Sequence, residues 1–558
     1  TFIADDEIAG SRQPESDLHT QNADMIARMI EQMEPDINLN KIYAISYNPV
    51  ATANGRRVPE ARDDIYRAFN DGTLIWNYSG HGGYEALADE KLVLLEELNE
   101  LTNFDTLPII VTATCSFGHW DYADKQSGAE VAFLNADGGA VAVFTTVRPV
   151  YTTSSLDALN PGLNRQLTIQ MVTREPNGLP QRLGDVLRIT KNTTAGSQDN
   201  NRKFNLFGDP TMRVGLPSLE TTITSINGQA PTENIQIKAL DKVEMKGEII
   251  QHNGQRDATF TGKVDVMVYD TPRQVSLRDS QYLPDGQYKV YRDLIFRGRA
   301  SVRSGQFSLT FITPKDISYS NANGRISLYA AGTQRDAIGH SLKIVIGGTS
   351  TNPVKDLTGP KIQVFLNDTT FVSGGITHKK PRLIAKLFDE NGLNTVGTGI
   401  GHELLLILDG DEQNARNLGE FFVGDENSFQ RGTVSFELPE LTPGSHSLTL
   451  KAWDVSNNSA IAALDFTVAD EQNLTIRNLA NYPNPTLGPT RFILEHNQLS
   501  GQMAEAEIKI FTLSGRLIRH IGTDELLPNG ILSGSTLQYN WDGRDEDGDL
   551  PATGVYLY

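Results

Sequence analysis

The chain is 558 residues long, contains 69 acidic and 49 basic residues, and has a formal net charge of −20. This length exceeds one hydrophobic core and predicts about three to five domains. The acidic balance, without a cluster of Lys and Arg, argues against nucleic-acid binding. No apolar run approaches the roughly 18 residues that cross a bilayer. Cys115 is the only cysteine, so no intrachain disulfide can form.

Residues 1–216 have the pattern of an α/β domain. Short apolar segments, predicted as strands, alternate with helical patterns along this region. Such alternation predicts a mostly parallel sheet covered by helices on both faces, with functional sites at the carboxyl ends of the strands. The predicted strands include 2–4, 42–45, 74–76, 109–111 and 140–144. The predicted helices lie near 18–34, 60–69, 127–136, 156–172 and 180–191.

From residue 218 onwards the helical period fades, and alternating apolar and polar residues are separated by turn signals. This texture predicts β-sandwiches. We place one at 218–350, an immunoglobulin-like one at 356–468 and a third at 474–558. The predicted fold class is therefore multidomain, with an α/β domain at 1–216 followed by all-β, immunoglobulin-like sandwiches.

Two chemically active side chains directly follow predicted strands of the α/β domain. His81 lies among glycines after the strand at 74–76, and Cys115 follows the strand at 109–111. If these strands are parallel neighbours, both residues emerge at the same edge of the sheet. A thiolate is the attacking species, so Cys115 needs a base, and His81 can take and return a proton. The backbone N–H groups of Gly82 and Cys115 are the predicted oxyanion donors.

These residues also have other interpretations. Cys115 alone is compatible with a buried small apolar side chain, and His81 alone with an ordinary loop residue. His119 is a competing base four positions after the cysteine, in a sequence typical of a loop. The sequence contains no G-x-S-x-G elbow, which argues against a serine hydrolase. It also contains no H-E-x-x-H or paired-cysteine spacing, so we expect neither a metal nor another cofactor. The acidic run at 542–549 fails the calcium-loop template and predicts a hairpin turn.

The sequence around these residues resembles the gingipain family of cysteine peptidases, relatives of the caspases. The segments NYSGHG at 77–82 and TATC at 112–115 fit the two strand-end motifs of that family. The segment FGDP at 207–210 resembles the motif that closes its catalytic domain. The resemblance implies a caspase-like catalytic fold over 1–216. It also implies a further α/β half before Thr1, so we expect a processed or truncated chain.

Three positions take their expected roles from this resemblance alone. The segment ADDE at 4–7 resembles the family segment in which an acid orients the catalytic histidine, which assigns that role to Glu7. Asp17 matches the aspartate at the bottom of the specificity pocket of the Arg-cleaving members, and Tyr151 falls at the aromatic pocket wall. The structural alternatives are a solvated acidic strand end for Glu7 and a helix N-cap for Asp17.

The last region resembles the C-terminal sorting domain of proteins exported by the type IX secretion system of Bacteroidota. Its motifs lie at 481–485, 508–516, 541–545 and 554–558. This resemblance implies a location at the bacterial cell surface, peripheral to the outer membrane.

The whole arrangement resembles the gingipain-like sortases of that secretion system. The resemblance implies removal of C-terminal sorting domains from exported cargo and transfer of the cargo to anionic lipopolysaccharide. The implied partners are the cargo, the outer-membrane barrel PorV and the attachment-complex proteins PorQ and PorZ. Two alternatives stay open: a secreted gingipain-like endopeptidase that only hydrolyses, and a non-catalytic surface scaffold with a relic site.

Overall fold

The computed structural model describes residues 1–6, 17–193, 198–278, 280, 283–394, 401–469, 476–498, 503–532 and 536–558. These residues form an α/β domain followed by three groups of β-strands. The predicted fold class, α/β followed by all-β modules, is confirmed.

The α/β domain contains both elements that carry the predicted catalytic residues. Its strands are β1 (Phe2–Ala4), β2 (Lys41–Tyr43), β3 (Val50–Thr52), β4 (Gly55–Arg57), β5 (Ile75–Ser79), β6 (Ala86–Leu87), β7 (Val93–Leu94), β8 (Ile109–Ala113), β9 (Ala142–Thr146) and β10 (Phe204–Phe207). Its α-helices are α1 (Leu18–Met33), α2 (Pro59–Asn70), α3 (Leu95–Asn99), α4 (Gly128–Leu134), α5 (Leu159–Val172), α6 (Leu183–Thr193) and α7 (Gln198–Lys203).

Six of these strands form one sheet in the order β10-β9-β8-β5-β1-β2, and only the β9–β10 pair is antiparallel. Successive side chains of a strand face opposite sides of the sheet. Trp76 and Ile110 therefore pack with α2, α3 and α4 on one face. Val111 and Phe144 pack with α5 and α6 on the other face, which α1 also covers. The carboxyl edge of the sheet therefore lies between two faces that are covered by different sets of helices.

The second module is built around one eight-stranded sheet and one buried apolar cluster. A separate hairpin, β15–β16, leaves this sheet and packs against the α1 face of the α/β domain, where the ring of Tyr288 lies 4.7 Å from that of Tyr43. The strands are β11 (Leu219–Ile226), β12 (Ile235–Ala239), β13 (Lys242–Ile250), β14 (Gly262–Tyr269), β15 (Arg273–Ser276), β16 (Gln287–Val290), β17 (Leu294–Val302), β18 (Gln306–Ile312), β19 (Ala322–Gly332) and β20 (Asp336–Thr349).

The third module packs a four-stranded sheet and a six-stranded sheet around one core. Its strands are β21 (Lys361–Leu366), β22 (Ile376–Thr377), β23 (Arg382–Phe388), β24 (Leu393–Asn394), β25 (Leu405–Leu408), β26 (Arg416–Asn417), β27 (Phe422–Gly424), β28 (Arg431–Glu437), β29 (Gly444–Asp454) and β30 (Ser459–Val468).

The last module consists of two three-stranded sheets that share a small core. Its elements are β31 (Ile476–Tyr482), β32 (Thr490–His496), β33 (Ile508–Thr512), β34 (Leu517–Ile521), α8 (Thr523–Leu526), β35 (Thr536–Trp541) and β36 (Tyr556–Leu557). Across the described part of the whole chain, none of the helices combines the length and apolar character needed to cross a membrane.

Candidate active site

The two predicted catalytic residues leave neighbouring strands at the same edge of the sheet. Strands β5 and β8 are parallel and in register, and His81 and Cys115 each lie two residues beyond the end of their strand. The loops that follow are packed tightly together, since a Cβ atom added to Gly82 would lie 2.7 Å from the Thr114 hydroxyl oxygen. The register thus brings the imidazole loop and the thiol loop together, as the sequence predicted.

Both backbone polar groups of His81, the N–H and the carbonyl oxygen, are hydrogen-bonded. Its N–H donates to the Asp5 carboxylate at 3.1 Å. Its carbonyl oxygen accepts from the Tyr78 hydroxyl at 2.6 Å and from the Ala88 N–H at 3.0 Å. A Cβ atom on Gly80 would lie 2.5 Å from both the Asp5 Cβ and the Tyr78 hydroxyl oxygen. Glycine at this position is therefore required by the close approach of these two side chains.

The imidazole of His81 has an aromatic neighbour that the sequence did not indicate. His81 is exposed, and its ring lies 5.3 Å from that of His19, edge to face at 86°. His19 belongs to α1 and is buried. No local spacing relates the two histidines, because they meet only when α1 packs beside β1 and β5. His19 therefore becomes visible as a site neighbour only from the fold.

Cys115 lies at a sharp turn immediately after β8. The next residue, Ser116, has φ of +55°, a left-handed conformation that non-glycine residues rarely adopt. The Ser116 N–H donates to the Thr146 hydroxyl at 3.2 Å, and that hydroxyl donates to the Thr114 carbonyl oxygen. The partly exposed Cys115 Sγ accepts from the Val150 N–H at 3.4 Å. The thiol is thus fixed at the surface of the sheet edge rather than sealed in the core.

The two predicted oxyanion donors are in suitable surroundings. Gly82 and Cys115 are both partly exposed. Within the described ranges, neither N–H group donates a hydrogen bond to the chain. Both groups are therefore available to a substrate carbonyl oxygen at this edge.

The acidic segment after β1 contributes in a way that the sequence located only approximately. Glu7, the predicted orienting acid, lies outside the described residues, so its role stays a prediction. The buried Asp5 carboxylate accepts a hydrogen bond from the backbone N–H of His81. The adjacent Asp6 is buried and paired with the guanidinium groups of Arg56 and of Arg278, the latter at 2.8 Å. The signal available in the sequence was the position of these acids directly after a buried strand.

Asp17 is fully buried at the start of α1, and its carboxylate is occupied. It accepts hydrogen bonds from the Ser280 hydroxyl at 3.0 Å and from the Leu283 N–H at 2.8 Å, both in the second module. It stands at the N-cap position of α1 without capping the helix through its side chain. Both donors bond to the same carboxylate oxygen, Oδ2, and the pocket role of Asp17 stays a prediction.

Tyr151 and His119 flank the thiol. Tyr151 directly follows Val150 and is 65% exposed, and the Lys203 ammonium lies 5.1 Å above its ring. This position is compatible with the predicted pocket wall. His119 is paired with Asp121 at 3.0 Å, as expected of a loop histidine.

Carboxylates that could hold a cation also occur at this edge. One oxygen each of Asp5, Asp6 and Glu90 lies within 4.8 Å of the others. Burial, followed by the charge of Asp6, raises the pKa of Glu90. The Arg56 guanidinium bridges Asp6 and Glu90, so positive charge is already supplied by the chain. A second group, consisting of Asp356, Asp389 and Asp454, lies in the third module.

Residues 1–215 match the model of peptidase family C25. This region is a peptidase family C25 domain. The predicted gingipain-family resemblance is thereby confirmed, and the C25 domain is a cysteine peptidase domain. Cys115 is the only cysteine in the chain, so it is the only thiol that this domain offers as a nucleophile.

The solved structures that are similar to the chain include the following two. Dimeric latent PorU from Porphyromonas gingivalis has 29% identity and a TM-score of 0.32, and the match covers 76% of this chain and 39% of the PorU chain. The Arg-specific cysteine proteinase gingipain R (RGPB) has 19% identity and a TM-score of 0.30, over 62% of this chain and 66% of that one. No curated protein matches the chain.

Proposed function

We propose that this protein is a cell-surface cysteine endopeptidase and transpeptidase that removes C-terminal sorting domains from type IX secreted cargo and links the cargo to anionic lipopolysaccharide. One observation carries the catalytic half of the proposal. The only thiol of a C25 domain and a histidine held by Asp5 leave adjacent, in-register strands at one sheet edge. The cargo and acceptor are supported by the sequence resemblance.

The proposed reaction has two acyl-transfer steps. His81 takes the proton of the Cys115 thiol as the sulfur attacks the scissile carbonyl carbon, and the N–H groups of Gly82 and Cys115 stabilise the oxyanion. His81 then gives that proton to the leaving amine as the C–N bond breaks, which leaves a thioester. An amine of the glycolipid attacks the thioester and forms an amide. Its proton passes through His81 to the departing Cys115 sulfur, so the enzyme is restored.

The proposed location follows from the sorting-domain resemblance of residues 474–558, and the proposed partners follow from the resemblance of the whole arrangement to the gingipain-like sortases. We place the protein at the outer membrane, peripherally, with the barrel PorV and the attachment-complex proteins PorQ and PorZ. Two motifs of this resemblance lie on adjacent strands of the last module, since β33 pairs with β36.

Product analysis tests the proposal against the hydrolytic alternative. The purified chain is incubated with a cargo protein bearing a sorting domain, with and without amine-bearing anionic lipopolysaccharide, and the new carboxyl end is identified by mass spectrometry. We expect an amide-linked product that forms only with the acceptor and is absent with Cys115→Ala. A free carboxylate alone, despite saturating acceptor, would favour the endopeptidase.

The scaffold alternative is decided by the same cysteine variant. Unchanged cargo processing with Cys115→Ala would mean that the site is a relic and that another protein cuts the cargo. Binding of Cys115→Ala to uncut cargo, without processing, is the result expected of an intact but inactive enzyme.

A further inference from the structure

An exposed aromatic patch links the two catalytic loops. We define it as Tyr84, which lies three residues after His81, together with Trp120 and Tyr122 in the loop after Cys115. The rings of Tyr84 and Tyr122 meet edge to face at 5.4 Å. Trp120 is 56% and Tyr122 45% exposed. Exposed aromatic surface close in sequence to the Cys115 thiol is suited to bind apolar groups of a ligand.

The patch is supported by contacts that hold its shape. The Lys125 ammonium donates to the Tyr84 hydroxyl at 2.6 Å and lies 4.8 Å from the ring centre. The Tyr84 carbonyl oxygen accepts from the N–H of Gly128, the first residue of α4, at 2.8 Å. The imidazole of His119 lies 3.9 Å from the ring of Tyr122. The rings of Tyr84 and Tyr122 are therefore already in place for a ligand on this surface.

The topology puts the patch opposite the predicted specificity pocket. Asp17 begins α1 and Tyr151 precedes α5, and both of these helices cover the same face of the sheet. Tyr84 and Tyr122 lie on segments leading to α3 and α4, which cover the other face. The Cys115 and His81 loops lie at the edge between the two faces. A peptide bound across this edge would have its two ends on opposite sides of the dyad.

We propose that the aromatic patch is the subsite for the residues that follow the scissile bond, and that it selects large apolar or aromatic side chains there. This inference rests on the proposed function, because it assumes that Cys115 is acylated by the segment on the Asp17 side. The segment released in the first step is then the one that contacts Trp120 and Tyr122.

Cleavage-site profiling of a proteome-derived peptide library tests the proposal. The wild-type chain, the Trp120→Ala/Tyr122→Ala double variant and Phe104→Ala are compared, and every new terminus is identified by mass spectrometry. Phe104 is a matched control because it is 64% exposed and precedes β8 at the opposite edge of the sheet. In the wild type we expect aromatic and large apolar residues to be enriched in the three positions after the cut. In the double variant this enrichment should fall about tenfold. The preference before the cut should not change.

Two results would overturn the proposal. One is an unchanged preference after the cut in the double variant. The other is an equal loss of preference on both sides of the cut, which would mean that the patch supports the fold rather than the substrate. A wild-type profile identical to that of Cys115→Ala would instead overturn the proposed function, and this inference with it.

Discussion

His81 is positioned by hydrogen bonds to its backbone, and we call the Asp5 and Tyr78 groups that make them the His81 cradle. The carboxylate of Asp5 and the hydroxyl of Tyr78 hold the two sides of its backbone. Gly80 lets both groups approach, and Gly83 borders open space. This difference between two nearby glycines gives a test of the cradle.

Gly80→Ala should displace the His81 loop and lower the kcat/KM for peptide cleavage by about 100-fold. The added methyl would lie 2.5 Å from the Asp5 Cβ and from the Tyr78 hydroxyl oxygen, and such overpacking costs about 1–3 kcal/mol. Gly83→Ala is the control, since its methyl would meet nothing within 4 Å, and it should keep near-normal activity. Equal activities of the two variants would refute the role assigned to the cradle.

The sequence located Cys115 and His81 because each is flanked by small residues directly after an apolar strand. It did not single out Asp5, although the segment containing it was noted, because several acids follow β1 and only the fold decides which one meets the His81 N–H. His19 was missed for the same reason. Asp17 and Tyr151 were placed by resemblance, and burial of Asp17 under the second module could not be read from local sequence.

At the scale of elements, α5 is attached to the sheet by a buried amide pair. The Asn77 Nδ2 donates to the Asn164 Oδ1 at 2.7 Å, and the Asn164 Nδ2 donates back to the Asn77 Oδ1 at 3.0 Å. Asn160 on the same helix donates to the Ala113 carbonyl oxygen at 2.7 Å. These bonds connect α5 to β5 and to the end of β8, the two strands that deliver the catalytic residues.

Asn164→Leu should lower the local unfolding free energy of β5 by about 1–3 kcal/mol, because it leaves the buried Asn77 amide without its reciprocal partner. Denaturant-dependent hydrogen exchange of β5 and α5 peptides measures this change. The Asn77→Val/Asn164→Leu double variant should be destabilised by less than the sum of the single variants, since it leaves neither amide unpaired. Strict additivity would contradict the pairing.

The longer elements were predicted to within a few residues. The helices expected at 60–69 and 127–136 are α2 and α4, and the strand expected at 140–144 is β9. The hairpins β3–β4 and β6–β7 were not predicted. Their strands have only two or three residues each. A segment this short cannot show the alternation of apolar and polar residues from which a strand is predicted.

On the scale of the whole molecule, the second module reaches back to the site of the first domain. Arg278 pairs with Asp6 across 272 positions of sequence, and the Leu283 N–H reaches Asp17 across 266. Contacts at such separations follow from how domains pack, and no periodicity in the sequence encodes them. The fold class could thus be predicted from the sequence, whereas the contacts that the second module makes with Asp6 and Asp17 could not.

The third module contains a cluster of acidic side chains, Asp356, Asp389 and Asp454, of which Asp389 and Asp454 are buried. Burial, followed by the charges of Asp454 and Asp356, raises the pKa of Asp389 to about 6. The folded module therefore holds this proton more tightly than the unfolded chain does. The resulting stabilisation is complete below about pH 4 and is lost as the pH rises through about 6.

Asp389→Asn should accordingly raise the stability of the third module at pH 8 by about 1–3 kcal/mol and change it little at pH 4. The amide oxygen can still accept the hydrogen bonds that Asn391 and Gly392 donate. Hydrogen exchange of β23 at both pH values measures the difference. Asp411→Asn, on an exposed turn of the same module, is the control and should not stabilise. A stabilisation that is equal at both pH values would contradict the assignment.

The central claim, that Cys115 and His81 act as one pair, is tested most directly by labelling with a thiol-reactive peptidyl probe. Because the chain has a single cysteine, every covalent label reports on Cys115. The labelling rate is compared among the wild type, His81→Ala and the loop-histidine control His119→Ala. We predict that His81→Ala loses labelling about 100-fold or more, while His119→Ala labels like the wild type. Labelling of His81→Ala at the wild-type rate would contradict the pair.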